Sequence, residues 1–133
     1  MAILIDDKTR ILVQGITGKE GQRAAKVMLE YRSKVVAGVT PGKGGWTIEG
    51  VSVHNSVKEA LASHPEINAT LIVVPPAFAK SAALEAIENR IPLINMLTEG
   101  LPVRDAAEII HAAKKNHLKF VGPSSIGILS PGK

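Results

Sequence analysis

Residues with the means to hold an anion gather first in Gln14-Gly15-Ile16-Thr17-Gly18-Lys19-Glu20-Gly21, where the glycines are spaced G-x-x-G-x-x-G. Glycine lets the backbone approach a ligand closely. Where such a turn opens a helix, its unpaired N–H groups and the helix dipole favour negative charge, by about 0.3–1 kcal/mol from the dipole alone. Thr17 can add a hydroxyl donor. A glycine motif of this kind has force only between a strand and a helix, so the flanking elements matter as much as the glycines.

A second loop, Thr40-Pro41-Gly42-Lys43-Gly44-Gly45, places a lysine among glycines. A domain built for NAD usually has Asp or Glu at the end of its second strand, roughly 20 residues after the glycines, to accept hydrogen bonds from the ribose hydroxyls. Here that position reads Val39-Thr40-Pro41-Gly42-Lys43. A carboxylate would repel a ribose phosphate and a lysine attracts one, so the pattern suits a nucleotide phosphorylated on its ribose. NADP and coenzyme A both answer that description.

Other chemistry finds little support. The absence of cysteine excludes disulfides, thiolate zinc sites and a cysteine nucleophile. His54 stands at a strand end, His64 precedes a proline, and His111 and His117 are too far apart to share a helix face, so no metal site is expected. Ser124 and Ser125 have no identifiable base, and no catalytic residue is assigned. The excess of 16 Lys and Arg over 12 Asp and Glu welcomes an acidic ligand. Nucleic acid is not expected, because Tyr31, Trp46, Phe78 and Phe120 are too scattered to stack successive bases. Trp46 is expected to be partly buried against its neighbours. Lys114, Lys115 and Lys119 read as a helix end, where positive charge complements the dipole. Residues 1–10 lack the pattern of a secretory signal and no apolar run is long enough to span a membrane, so a cytoplasmic protein is expected.

The elements that position these loops follow from apolar periodicity. Short apolar runs at 10–14, 34–39, 51–54, 69–74, 92–96 and 118–121 read as strands. Between them lie helical patterns: 18–31 with Ala24, Ala25, Val27, Met28 and Tyr31, a helix opened by a Ser56/Glu59 capping box, one through Ala82, Ala83, Ala86 and Ile87, and one after Pro102 with Val103, Ala106, Ala107, Ile110 and Ala113 as its buried stripe. Five or six strands separated by helices imply an α/β fold, a doubly wound, mostly parallel sheet with helices on both faces. Its ligand crevice lies at the carboxyl ends of the strands, lined by loops at 15–18, 40–45, 75–79, 97–100 and 122–125. At 133 residues the chain can bury roughly two thirds of its unfolded surface, enough for a single domain over 1–133.

Taken in order, Gly15 to Gly21, Gly38-Val39-Thr40-Pro41-Gly42-Lys43-Gly44-Gly45, Val74-Pro75-Pro76-Ala77-Phe78 and Leu97-Thr98-Glu99-Gly100 resemble the coenzyme A-binding domain of succinyl-CoA synthetase α subunits. The resemblance implies a Rossmann-like domain of a ligase of the tricarboxylic acid cycle. Such a ligase makes an acyl-CoA from a carboxylic acid, coenzyme A and ATP or GTP through a phosphohistidine, with a nucleotide-binding β subunit as partner. It sets Thr17, Gly18, Lys19 and Glu20 over the coenzyme A phosphates, Lys43 in the second loop, and Leu97, Thr98 and Glu99 at a further contact. Gly15, Gly21, Val39, Thr40, Pro41 and Pro75 complete the candidate binding residues. Pro75, Pro76 and Phe78 are expected to form an apolar wall.

Two departures stand out. Gly122-Pro123-Ser124-Ser125-Ile126-Gly127 replaces the family's Gly-Pro-Asn segment and leaves the acid substrate open. The family's second domain, with a Gly-His-Ala-Gly segment bearing the phosphohistidine, has no counterpart in these residues, so the chain alone is expected to bind without turnover. The alternatives are a free-standing regulatory module that binds coenzyme A or a dinucleotide without catalysis and, more weakly, an NADP oxidoreductase.

Overall fold

The computed structural model describes residues 8–31, 33–98 and 100–121. Expectations that fall on Glu99, on the loop at 122–125 with Ser124 and Ser125, and on residues 1–7 lie outside the described residues.

Along the chain run β1 (Ile11–Gln14), α1 (Lys19–Glu30), β2 (Val35–Val39), β3 (Thr47–Ile48), β4 (Val51–His54), α2 (Val57–Ser63), β5 (Ala69–Ile72), α3 (Pro76–Glu88), β6 (Leu93–Met96), α4 (Val103–Lys115) and β7 (Lys119–Val121). The sheet order is β3-β4-β2-β1-β5-β6-β7, parallel throughout except for the β3–β4 pair. The doubly wound expectation is borne out. From β1 the chain moves outward to β2 and β4, then returns to β5 on the other flank of β1. Ala25 and Met28 of α1 pack with Val13, Val53 and Leu71 on one face, whereas Val57 of α2, Ala83 of α3 and Ile109 of α4 pack with Leu12, Ile72 and Ile94 on the other. Because α1 and α3 leave β1 and β5 toward opposite faces, a crevice opens between them at the carboxyl ends. Full burial of side chains such as Leu12, Ile72 and Ile94 contributes about 1.5–3 kcal/mol each.

Three expectations need correction. The sheet has an extra strand, β3, which is antiparallel at the edge and joined to β4 through Glu49 and Gly50. Both turn residues have positive φ, 52° and 81°, the geometry of a two-residue hairpin turn whose twist matches that of the strands. In α4 the stripe holds only in part: Ala113 is buried as expected, but Val103 is 86% exposed, Ala107 and Ile110 are exposed, and Ile109 is buried. Apolar residues occupy several phases of this helix, so periodicity alone misplaces part of the buried face. In α1, Ala25 and Met28 are buried as expected, but Val27 and Tyr31 face solvent.

Two buried amides treat the sheet differently. Gln14 on β1 donates from Nε2 to the Ala82 carbonyl at 2.9 Å and accepts from Thr70 Oγ1 at 2.7 Å. Asn95 on β6 is equally buried, yet among the described residues neither its Nδ2 nor its Oδ1 has a partner.

Candidate functional site

The turn after β1 is shaped by a backbone contact that admits no side chain. A Cβ on Gly21 would lie 2.0 Å from the Gly15 carbonyl oxygen, and Gly15, at φ +91°, would drive a Cβ to 2.8 Å from both Val73 O and Val74 Cγ1. The strand end and the first turn of α1 can therefore close on each other only as glycines. Gly18 is the N-cap of α1, and among the described residues no side chain caps the helix. Gln22 donates to the Gly18 carbonyl at 2.8 Å, so the amides of Lys19, Glu20 and Gly21 precede the first intrahelical bond and point out of the helix start. Gly18, Lys19 and Glu20 are exposed there.

Not every amide of the turn stays available. Gly18 N–H turns back to the Gly15 carbonyl at 3.1 Å, and Gly15 N–H donates to Val39 O at 2.7 Å. Thr17 is also engaged: its hydroxyl donates to Thr40 Oγ1 at 3.1 Å. These bonds tie the first loop to Val39 and Thr40, so the two glycine loops share one corner of the crevice.

The second loop has its own scaffold. Thr40 N–H bonds His54 O at 3.0 Å, Lys43 N–H bonds Thr40 O at 3.0 Å and Trp46 N–H bonds Lys43 O at 3.1 Å. Asn55 Oδ1 accepts from Gly42 N–H at 3.0 Å and Gly44 N–H at 2.9 Å. Just beyond it, Ser56 Oγ accepts from Glu59 N–H, as the capping box predicts, while Glu59 Oε1 reaches back to Asn55 N–H. Sequence reasoning missed Asn55; its position directly before the capping box was the available signal. Pro41 is exposed and Lys43 half-buried, with its Nζ 4.3 Å from the centre of the Trp46 ring. Trp46, expected to be partly buried, is 49% exposed at the sheet edge, where the hairpin carries it.

Across β1 the remaining candidates are placed differently. Pro75 is the N-cap of α3 and is exposed, and Phe78 is 63% exposed at the same strand-end rim, outside the core. Thr98 is buried and donates its hydroxyl to Val74 O at 2.7 Å. Leu97 bonds Ile72 O through its N–H at 3.0 Å and packs its side chain on the α1 side of the sheet. The structure thus brings Gly15, Thr17, Gly18, Lys19, Glu20, Gly21, Val39, Thr40, Pro41 and Lys43 into one corner, and sets Pro75, Leu97 and Thr98 at the ends of β5 and β6.

With this geometry in place, the family model of the CoA binding domain matches the chain over residues 6–100. The chain belongs to the CoA-binding domain family. It is 46% identical over 133 residues to the α subunit 2 of ADP-forming succinate–CoA ligase of Archaeoglobus fulgidus, covering 100% of this chain and 46% of that protein. To the malate–CoA ligase α subunit of Methylorubrum extorquens it is 46% identical over 137 residues, again covering 100% of this chain and 46% of that protein. This CoA-binding domain therefore spans about half the length of these curated relatives. Among solved structures, ATP citrate lyase from Methanothrix soehngenii in complex with citrate and coenzyme A superposes with a TM-score of 0.77 at 19% identity, over 94% of this chain and 22% of that one, a likeness of fold. Among the described residues no helix is long and apolar enough to cross a membrane.

Proposed function

We propose that this chain binds coenzyme A as the N-terminal domain of an ADP-forming acid–CoA ligase α subunit, with the 3′-phospho-ADP portion against the loops at 15–21 and 40–45. The observation that carries the reading is the uncapped start of α1, closed by the Gly15–Gly21 contact and flanked by Lys43. The residues fit the ligand: the amides of Lys19, Glu20 and Gly21 precede the first intrahelical bond and could meet an anion, and the cradle leaves no room for a side chain. Anions at such a helix start gain about 0.3–1 kcal/mol, up to ~2 kcal/mol where partly buried. Lys43 supplies a full positive charge, and the end of β2 offers no carboxylate to repel a ribose phosphate.

Coenzyme A brings the thiol that takes up the acyl group. The chain's own part is to anchor and orient the far end of that molecule. Thr17 and Thr40 hold the two loops together, Leu97 and Thr98 offer backbone at the neighbouring strand end, and Glu99 belongs to the same proposed contact. Phosphoryl transfer through a phosphohistidine, a β subunit, ATP as the nucleotide and a cytoplasmic setting are proposed by likeness to the ligase relatives. Relatives of equal identity named for succinate and for malate leave the acid open.

Titration calorimetry with coenzyme A, dephospho-coenzyme A and NADP tests the reading. Coenzyme A is expected to bind, loss of its 3′-phosphate to weaken it, and Lys43→Ala to lose affinity mainly at low salt, since a partly exposed charge pair is weakened by salt screening. Tighter binding of NADP than of coenzyme A would falsify the proposal.

A further inference from the structure

The contact between Lys43 and Trp46 has no part in the fold's core, and the ligand reading above uses only the lysine. Trp46 is the single tryptophan of the chain and is half exposed. Lys43 Nζ sits 4.3 Å from the ring centre, and among the described residues no carboxylate forms an ion pair with it. The backbone around the pair is firmly held. Gly45 N–H bonds Val53 O at 3.0 Å, Val53 N–H bonds Trp46 O at 2.9 Å, and Asn55 Oδ1 accepts from Gly42 and Gly44. The indole is thus carried on a pinned segment that begins a strand, while the ammonium is carried on a flexible four-carbon stem.

We propose that Trp46 is a positioning residue for Lys43, and that the pair is the element by which this chain distinguishes ligands with a ribose phosphate from those without. The inference rests on the coenzyme A reading. An aromatic face attracts an ammonium through its quadrupole without neutralising it. A carboxylate partner would cancel the charge that a phosphate must meet. The N–H donors directed away from the ring remain available, so the stem is ordered before the ligand arrives and less conformational freedom is lost on binding.

The test compares Trp46→Leu and Trp46→Phe with the unaltered chain, measuring the dissociation constants of coenzyme A and dephospho-coenzyme A at low salt. Circular dichroism shows that each variant is folded. Trp46→Leu is expected to lower the preference for coenzyme A by about two- to fivefold, through weaker coenzyme A binding with dephospho-coenzyme A unmoved. Trp46→Phe retains most of the preference, and Trp46→Leu has no further effect on the preference once Lys43→Ala is present. An equal loss for both ligands overturns the proposal, since the ring would then contact the shared nucleotide. Coenzyme A binding with an unaltered preference in Trp46→Leu overturns it alone, whereas no coenzyme A binding by the unaltered chain overturns the ligand reading as well.

Discussion

On one flank of β1, the loops at 15–21 and 40–46 are organised by peptide groups and by glycines packed where no Cβ fits; on the other, the ends of β5 and β6 are joined by a side chain turned into the fold. Gly21 lies against the Gly15 carbonyl, while Thr98 gives its hydroxyl to Val74 O. The first arrangement leaves helix-start amides and a lysine facing outward. The second uses up its polar side chain internally and presents exposed Pro75 and Phe78. Under the proposed function the site is divided by construction: one flank would meet phosphate, and the other would contribute backbone and apolar rim.

Glycine substitutions should break this contrast most sharply. Gly21→Ala forces a Cβ to 2.0 Å from a carbonyl oxygen and should cost about 3 kcal/mol or more in urea unfolding, with loss of coenzyme A binding. Gly100→Ala, at φ +85° with Pro76 Cγ 3.6 Å from the new Cβ, should cost only the left-handed strain of about 1–2 kcal/mol. Equal losses would remove the distinction between the flanks.

The buried amides sharpen it next. Replacing Asn95, whose amide has no partner among the described residues, by Val should raise stability by about 1–3 kcal/mol, read as a higher urea midpoint. Gln14→Leu should lower it, because Thr70 and the Ala82 carbonyl lose their partner. A destabilised Asn95→Val chain would mean that this amide is satisfied in solution.

Smaller effects separate binding from folding. Asn55→Ala removes the acceptor of two loop amides, each worth about 0.5–1.5 kcal/mol, and should weaken coenzyme A by roughly tenfold in calorimetry. Thr98→Val should cost stability of about 1 kcal/mol and leave coenzyme A affinity within twofold (roughly 0.4 kcal/mol).

The smallest effect lies between α3 and α4. Lys80 on α3 hydrogen-bonds Glu108 on α4. That bond holds the Glu108 carboxyl below its ordinary range and raises the Lys80 ammonium above its own. The contribution of Glu108 is present above the ordinary carboxylate range and is lost as pH falls through its lowered value. That of Lys80 is present below the ordinary lysine range and is lost as pH rises through its raised value. Both groups are solvent-exposed and screened. Glu108→Gln should slightly flatten the acid limb of a thermal unfolding profile, and 1 M salt, at which the Debye length is about 3 Å, should erase the difference from the unaltered chain.

Much of this architecture is legible in the residues because it depends on local pattern. The apolar run at 69–74 and the prolines after it mark β5 and its end, and the capping box at Ser56 and Glu59 opens α2. Legibility fails where one pattern serves several phases or where partners are remote. Ile109 rather than Ile110 is buried because packing on the sheet, not composition, selects the face of α4. The β3 hairpin escapes detection because a two-residue strand beside a glycine loop has no period to read.

From residue types alone come the glycine turn between a strand and a helix, the missing carboxylate after β2 and the lysine loop, since backbone freedom and charge are properties of the residues themselves. Which groups remain for a ligand was decided only by the tertiary structure. The Thr17 hydroxyl is taken by Thr40, 23 positions away, and the Lys43 ammonium is held over Trp46 by a hairpin with little local signature. Hydrogen bonds and ring contacts of this kind are made between segments that meet only after the strands have paired.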